Sequence, residues 1–159
     1  MLQARNARQD DCMLYYKWAN DSYVREQSFN SNPIEFENHK SWFLNVLEKE
    51  NIQMLVFEEN SIPVGQVRIQ PDSDSKTFVI GISIDADYRG KRLGVEMLNI
   101  AAENFFRKWP EATINAYIKK DNLASFHIFQ KAGYGDVKDI VVNGSPSIVC
   151  TKYKKNENR

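Results

Sequence analysis

The chain is expected to form an α/β fold of the α+β kind: one mixed, mostly antiparallel sheet of about seven strands flanked by four helices. Three features point there. Apolar runs of strand length at 54–57, 64–69 and 78–84 follow one another across polar turns. Segments with apolar residues at helical spacing lie on both sides of this block. An apolar strand at 78–84, a glycine-containing basic loop and a helical segment at 95–109 follow in direct succession.

Residues 2–6 form a short edge strand. Asp10-Asp11 precede a helix whose apolar face is Leu14, Tyr15 and Trp18, and Asn20-Asp21 end it. Residues 23–31 are polar and irregular. Pro33 opens a second helix, with Phe36, His39, Trp42, Phe43, Val46 and Leu47 at helical spacing. The period then changes. Strands at 54–57 and around Val64, Val67 and Ile69 flank the Glu59-Asn60-Ser61 turn, and Asp72-Ser73-Asp74-Ser75 turn the chain into the strand at 78–84. Pro110 stops the helix that begins at Val95. A strand at 113–118 and a helix at 122–132 follow, with Gly133 at its C′ position. Two strands around Asn143-Gly144 complete the fold.

A length of 159 residues fits one domain, read as residues 1–153 with a polar tail at 154–159. Acidic and basic residues balance at 21 each, so no bulk field draws the chain to nucleic acid or a membrane. No apolar run reaches transmembrane length, and the N-terminus lacks the apolar core of a signal peptide. A cytoplasmic location is expected. Cys12 and Cys150 have neither metal-ligand spacing nor a disulfide framework, and both are expected reduced and buried. His39 and His127 lack a third ligand, so no metal site is expected.

Against this neutral background the run Arg89-Gly90-Lys91-Arg92-Leu93-Gly94 stands out. It joins a strand to a helix N-terminus, where free backbone N–H groups and the positive end of the helix dipole converge. Arg89, Lys91 and Arg92 add charge. Such a cradle suits the phosphates of a cofactor. It is not a nucleotide-triphosphatase P-loop, because Gly90 and Gly94 are too close and no Gly-Lys-Ser/Thr follows. It is not a dinucleotide fingerprint, because the glycine spacing differs. A solvated basic turn is the plain alternative.

Downstream, Asn122-Leu123-Ala124-Ser125 leads into Phe129-Gln130-Lys131-Ala132-Gly133-Tyr134. With the basic loop and the order of elements, this resembles the GCN5-related N-acetyltransferase (GNAT) family over nearly the whole chain. Arg92 stands where the family's middle glycine is usual. The resemblance implies an acetyl-CoA donor, no metal, and a sheet splayed between its fourth and fifth strands. It also implies that the pantetheine arm lies along Ile82, Ser83 and Ile84, and that the pyrophosphate sits on the backbone from Arg89 to Val95. Asn122, Ser125 and Phe129 would hold the rest of the arm, and a backbone N–H near Ile82 would stabilise the developing oxyanion. Phe129 occupies the place of a thiolate-protonating tyrosine in many relatives, and Tyr117 that of a basic glutamate in some. A phenol with pKa of about 10 is a poor base at neutral pH, yet it relays a proton through water. The plain reading of Tyr117 is a half-buried strand aromatic.

The segments Trp18-Ala19-Asn20-Asp21, Ser28-Phe29-Asn30 and Gly65-Gln66-Val67-Arg68 resemble a narrower subgroup. Its members acetylate nucleotide-linked amino sugars, as in pseudaminic acid synthesis. This implies a small-molecule amine, a nucleotide sugar, met by Asn30, His39, Gln66 and Arg68; amides and guanidinium suit hydroxyls and a diphosphate. Each residue also has a plainer reading. Arg68 alternates with Val67 and Ile69 and faces solvent; Asn30 turns the chain; His39 is a boundary histidine on the Phe36–Phe43 face; Trp18 and Trp42 are core. A protein N-terminus or ribosomal protein is the second acceptor class. A non-catalytic acyl-CoA-binding module is the alternative to an enzyme, given Phe129. Monomer and homodimer are both compatible with the sequence.

Overall fold

The computed structural model describes residues 1–74 and 76–154. Its strands are β1 (Leu2–Asn6), β2 (Gln53–Glu59), β3 (Ile62–Pro71), β4 (Thr77–Ile84), β5 (Thr113–Lys119), β6 (Gly135–Val142) and β7 (Ser145–Tyr153). Its helices are α1 (Cys12–Ala19), α2 (Ser22–Gln27), α3 (Phe36–Leu47), α4 (Leu93–Lys108) and α5 (Leu123–Lys131). The seven strands form one sheet in the order β1-β2-β3-β4-β5-β7-β6. Every neighbouring pair is antiparallel except β4 and β5. Helix α4 crosses between those two, and such a crossover makes the strands it joins parallel. The hairpin turns carry positive φ at both central residues, Asn60-Ser61 (52° and 66°) and Asn143-Gly144 (48° and 79°). That backbone matches the twist of the flanking strands.

The sheet is covered on both faces. Leu55 and Phe57 of β2 point to the α4–α5 side, packing with Met97, Leu98, Phe105 and Ile114. Met54 and Val56 point to the other side, packing with Tyr15, Trp18, Phe43 and Val46 of α1 and α3. This explains the uninterrupted apolar run of β2: a strand buried on both faces has no polar alternation to show. Each fully buried side chain of this size contributes roughly 1.5–3 kcal/mol of transfer free energy.

Among the described residues five α-helices form where four helices were expected. The additional helix, α2, lies in the segment read as irregular. Asp21 starts it, its carboxylate accepting from the N–H groups of Tyr23 (3.0 Å) and Val24 (3.2 Å). Asp21 is therefore the cap of the next helix as well as the end of α1. Asp11 does not cap α1 through its side chain; its carboxylate accepts instead from Arg5 and from the Arg8 N–H, pinning β1 to a one-turn helix at Gln9–Asp11. Pro33 lies ahead of α3 rather than in its first turn, and α4 begins at Leu93, two residues before the expected start. Cys150 is buried, Cys12 is half-buried, and both are free thiols. Apart from Lys154, the tail lies outside the described residues. No helix among the described residues is long and apolar enough to cross a membrane.

Asp85, at the end of β4, ties the sheet to α1. It is 6% exposed, and its carboxylate accepts from the Trp18 indole N–H (2.9 Å), the Asp87 N–H (3.0 Å) and the Lys17 ammonium (3.4 Å). Burial pushes its pKa up, but these donors outweigh that and hold it below the usual carboxylate range. A depressed carboxyl stabilises the fold above its unfolded pKa and loses that contribution as pH falls through the folded value. Asp85→Asn is expected to lower stability by about 1–3 kcal/mol at pH 7. The difference from the native chain shrinks in urea melts as pH falls below about 4.

Candidate active site

Strands β4 and β5 pair only at Thr77↔Thr113, Phe78↔Ile114 and Val79↔Asn115. Beyond that point β4 stays in register with β3 as far as Ile84, and β5 stays on β7 as far as Lys119. The two strands therefore splay, and the β4 edge from Ile80 to Ile84 that faces β5 carries no strand. Backbone N–H and C=O groups without a partner need one from elsewhere. The wedge opens into a cleft of about 600 Å³, within the usual range for small-molecule sites.

One wall is Ile82, Ser83 and Ile84 of β4; the opposite wall is Tyr117, Ile118 and Lys119 of β5. Asn122, Ser125 and Phe129 close the far side, from α5 and the residue that caps it. The Asn122 side-chain oxygen accepts from the Ser125 N–H (3.2 Å), which fixes the start of that helix. Tyr23 of α2, with Ser28 and Phe29 just after it, covers the mouth. Arg25 shapes this cover, donating to the carbonyls of Ala19 (2.6 Å) and Asn30 (3.0 Å) and to the Ser28 hydroxyl (3.1 Å). Two bonds hold the cover to both walls. Arg89 donates to Asp21 (2.7 Å), and Lys119 donates to the Glu26 carbonyl (3.0 Å). Burial raises the Asp21 pKa, yet Arg89 and the backbone donors bring it below the ordinary value.

At the end of β4 the loop turns into α4 through two left-handed residues, Gly90 (φ 77°) and Arg92 (φ 62°). Arg92 provides no side-chain cap. The first-turn N–H groups of α4 thus keep their donors for an anion. Gly90 and Arg89 face the cleft. Lys91 and Arg92 are exposed, and Lys91 lies 5.2 Å from the Tyr88 ring centroid.

A family model described as an acetyltransferase (GNAT) domain matches residues 2–135. The chain belongs to the GNAT acetyltransferase family. No curated protein is matched by sequence. Among solved structures, aminoglycoside acetyltransferase AAC(6')-Ib in complex with coenzyme A and kanamycin superposes with a TM-score of 0.81 at 19% identity, covering 96% of this chain and 95% of that one. Spermidine N-acetyltransferase from Vibrio cholerae, in complex with CoA and spermine, superposes with a TM-score of 0.81 at 17% identity, covering 94% and 92%. At such identities the likeness is one of fold.

In this acetyltransferase the cleft gathers many of the residues singled out in the sequence. Ile82, Ser83, Ile84, Arg89, Gly90, Tyr117, Asn122, Ser125, Phe129 and Arg68 all line it. Lys91, Arg92 and Val95 lie on the adjoining loop and first turn of α4. Leu93 and Gly94 are buried there. A Cβ on Gly94 would come within 3.1 Å of Ile128, so its lack of a side chain serves the packing of α4 on α5.

Three acceptor candidates do not face the cleft. Asn30 is exposed and its side chain turns the chain by accepting from the Asn32 N–H. His39 is 3% exposed and stacks on Phe43 at 17°. Its Nε2 lies 3.1 Å from the Cys12 carbonyl, an acceptor only, so that nitrogen carries the proton. Burial lowers the His39 pKa. Gln66 is buried behind Ser83 and donates to its hydroxyl (3.2 Å).

Tyr117 reaches away from α5 and donates to Asp72 (2.6 Å), in the turn after β3. That bond, with burial second, raises the phenol's pKa. Asp21, Tyr23, Asp72 and Lys119 are not among the site residues that the sequence suggests. Asp21 alone had a local signal, a capping residue ahead of helix-compatible Ser22–Gln27; the others meet partners dozens of residues away.

The left-handed backbone at Arg92 explains why glycine is usual there. A non-glycine residue in that region costs about 1–2 kcal/mol. Arg92→Gly relieves this while loosening the unfolded chain, for a net gain of about 0.5–1 kcal/mol in urea unfolding. A loss of stability would mean that the Arg92 side chain makes a contact outweighing the strain.

Proposed function

We propose that this enzyme moves the acetyl group of acetyl-CoA to the primary amine of a small molecule by direct attack, and that the acceptor is a nucleotide-linked amino sugar. The open β4 edge inside the cleft carries the first part of this reading. An extended, amide-bearing arm pairs with such an edge as an added strand would. The residues fit the donor: Ile82, Ser83 and Ile84 offer backbone groups to the arm, and the loop from Arg89 to Val95 offers N–H groups and the charges of Lys91 and Arg92 to the pyrophosphate. Asn122, whose oxygen is engaged by Ser125, keeps its amide N–H groups for the arm. When bound, the donor supplies an acetyl thioester activated toward amines.

The chain's own residues orient and polarise. A backbone N–H at Ile82 stands at the open edge as the oxyanion donor. Phe129 is buried edge-on against Tyr134, 5.0 Å between ring centroids, and transfers no proton. Tyr117 is the proton relay of this proposal. Its raised pKa argues against a standing phenolate. A concerted transfer needs none: Oη would take, through water, the proton that the attacking amine sheds, as its own proton passes to Asp72, and the departing thiolate would be protonated from solvent. Asp72 is exposed and returns the proton to bulk water. Binding and positioning carry the rest of the rate.

Support for the acceptor lies in the residues upstream of the cradle. Ser28, Phe29 and Arg68 line the cleft. The structural relatives hold amines, kanamycin and spermine, beside CoA.

Thiol release from acetyl-CoA in the presence of an amine panel tests this reading. Release with a nucleotide amino sugar is expected. Release with peptides alone would place the enzyme among protein acetyltransferases, and tight acetyl-CoA binding without release would make the fold a binding module. Tyr117→Phe and Asp72→Asn are each expected to lower kcat on the order of tenfold with little change in acetyl-CoA affinity. Unchanged kcat in both variants across pH 6–9 (a range of about three units around neutrality) would leave the pair a structural tie.

A further inference from the structure

Arg68 projects from β3 toward α1 and α3, on the face it shares with Gly81, its register partner on β4. It lines the cleft and is half-buried. Its guanidinium lies 4.8 Å from the Trp42 ring centroid. Among the described residues no carboxylate, carbonyl or hydroxyl bonds any of its N–H groups. Tyr15, its electrostatic neighbour, is neutral, with a hydroxyl that has no partner either. Burial lowers the Arg68 pKa. A half-buried cation that lines the cleft, with five donors and no protein acceptor, is a group waiting for an anion.

The space for that anion is present. A Cβ on Gly81 would meet nothing within 4 Å. Gly81 adjoins Ile82, so this space borders the open edge of β4. The charge of the cleft has one sign. Among its described lining residues are Arg68, Arg89 and Lys119, and no Asp or Glu. Arg89 is neutralised by Asp21, and Lys119 is held by a carbonyl. Arg68 keeps its full charge.

We infer that Arg68 is the anion-binding residue of the acceptor subsite, selecting amines that carry a phosphate or carboxylate over polycationic amines. This rests on the acetyltransferase reading for the amine, but the anion site itself stands on geometry. Kanamycin and spermine, bound in the structural relatives, carry several ammonium groups, and a cleft with an unpaired cation and no carboxylate disfavours them. Two bonds from a planar guanidinium to one oxyanion supply both affinity and orientation.

The test uses the full chain saturated with CoA, so that the phosphate cradle is filled. Binding of UDP and of succinate is followed by tryptophan fluorescence and calorimetry, with spermidine as the cationic comparison. Acetylation of a nucleotide amino sugar and of spermidine is measured in parallel. Arg68→Gln is expected to weaken the tighter of the two anions by roughly 10–100-fold, the loss of a charge-assisted pair. CoA affinity stays unchanged, and the melting temperature stays unchanged or rises, because an unpaired cation has been removed. Arg68→Lys retains part of the affinity and guards against a folding defect in the glutamine variant. A preference for UDP identifies a phosphate, and a preference for succinate a carboxylate. Equal anion binding by native and Arg68→Gln enzymes overturns the inference, as does spermidine binding more tightly than both anions. Arg68-dependent anion binding without acetylation of any amine upholds the subsite while sinking the transferase reading. Acetylation of spermidine unaffected by Arg68→Gln does the reverse.

Discussion

Two parallel strands that share only three register positions set the terms for the rest of this structure. β4 and β5 begin side by side at Thr77 and Thr113 and separate after Val79 and Asn115. Each remains fully paired on its other side. The sheet thus forgoes ladder bonds over the second half of β4, where an unmet buried backbone group costs about 1–3 kcal/mol. The separation lies at the carboxyl ends of the parallel pair, where open α/β sheets place their ligands. The same end of β4 leads into the left-handed turn at Gly90 and Arg92 and the uncapped start of α4. One topological event therefore sets an extended backbone edge and a cluster of helix N–H donors next to each other.

Around that opening, charge is organised rather than abundant. The chain is neutral overall, yet its acidic residues near the cleft are engaged in scaffolding. Asp85 receives Trp18 and Lys17, Asp21 caps α2 and receives Arg89, and Asp72 receives Tyr117. What remains facing the cavity is cationic. Helix α2 is short, six residues, and has no buried residue of its own. Its position depends on Asp21, Arg25 and Lys119, so the cover over the cleft is held by polar bonds instead of by core packing. Such elements open at low free energy, which suits a site that must admit two substrates.

Local signals carried most of the fold. Local patterns located the seven strands and four of the five α-helices of the described residues, Asn143-Gly144 marked its hairpin, and the basic loop marked the start of α4 to within two residues. α2 was missed because its six residues are too few for a periodic pattern and expose most of their surface. The cleft was legible where one contiguous segment forms it, as in 82–84, 89–90 and 122–129. It was illegible where tertiary folding decides which side of an element a residue takes. His39 and Phe43 share a helix face, and the structure buries that face against α1, which leaves the imidazole in the core. Arg68 and Gln66 share a strand face, yet Arg68 reaches the cavity while Gln66 stops behind Ser83. The Tyr117–Asp72 bond spans 45 residues and has no sequence signature.

Amide hydrogen exchange along β4, with and without acetyl-CoA, tests the splay most directly. Amides paired with β3 are protected in either state. The outward amides between Ile80 and Ile84 are predicted to exchange freely in the unliganded chain and to slow at least tenfold with acetyl-CoA, along with those of Gly90 to Val95. Protection of 80–84 already complete without acetyl-CoA, or unchanged on adding it while binding is saturated, would contradict an open β4 edge as the donor's site.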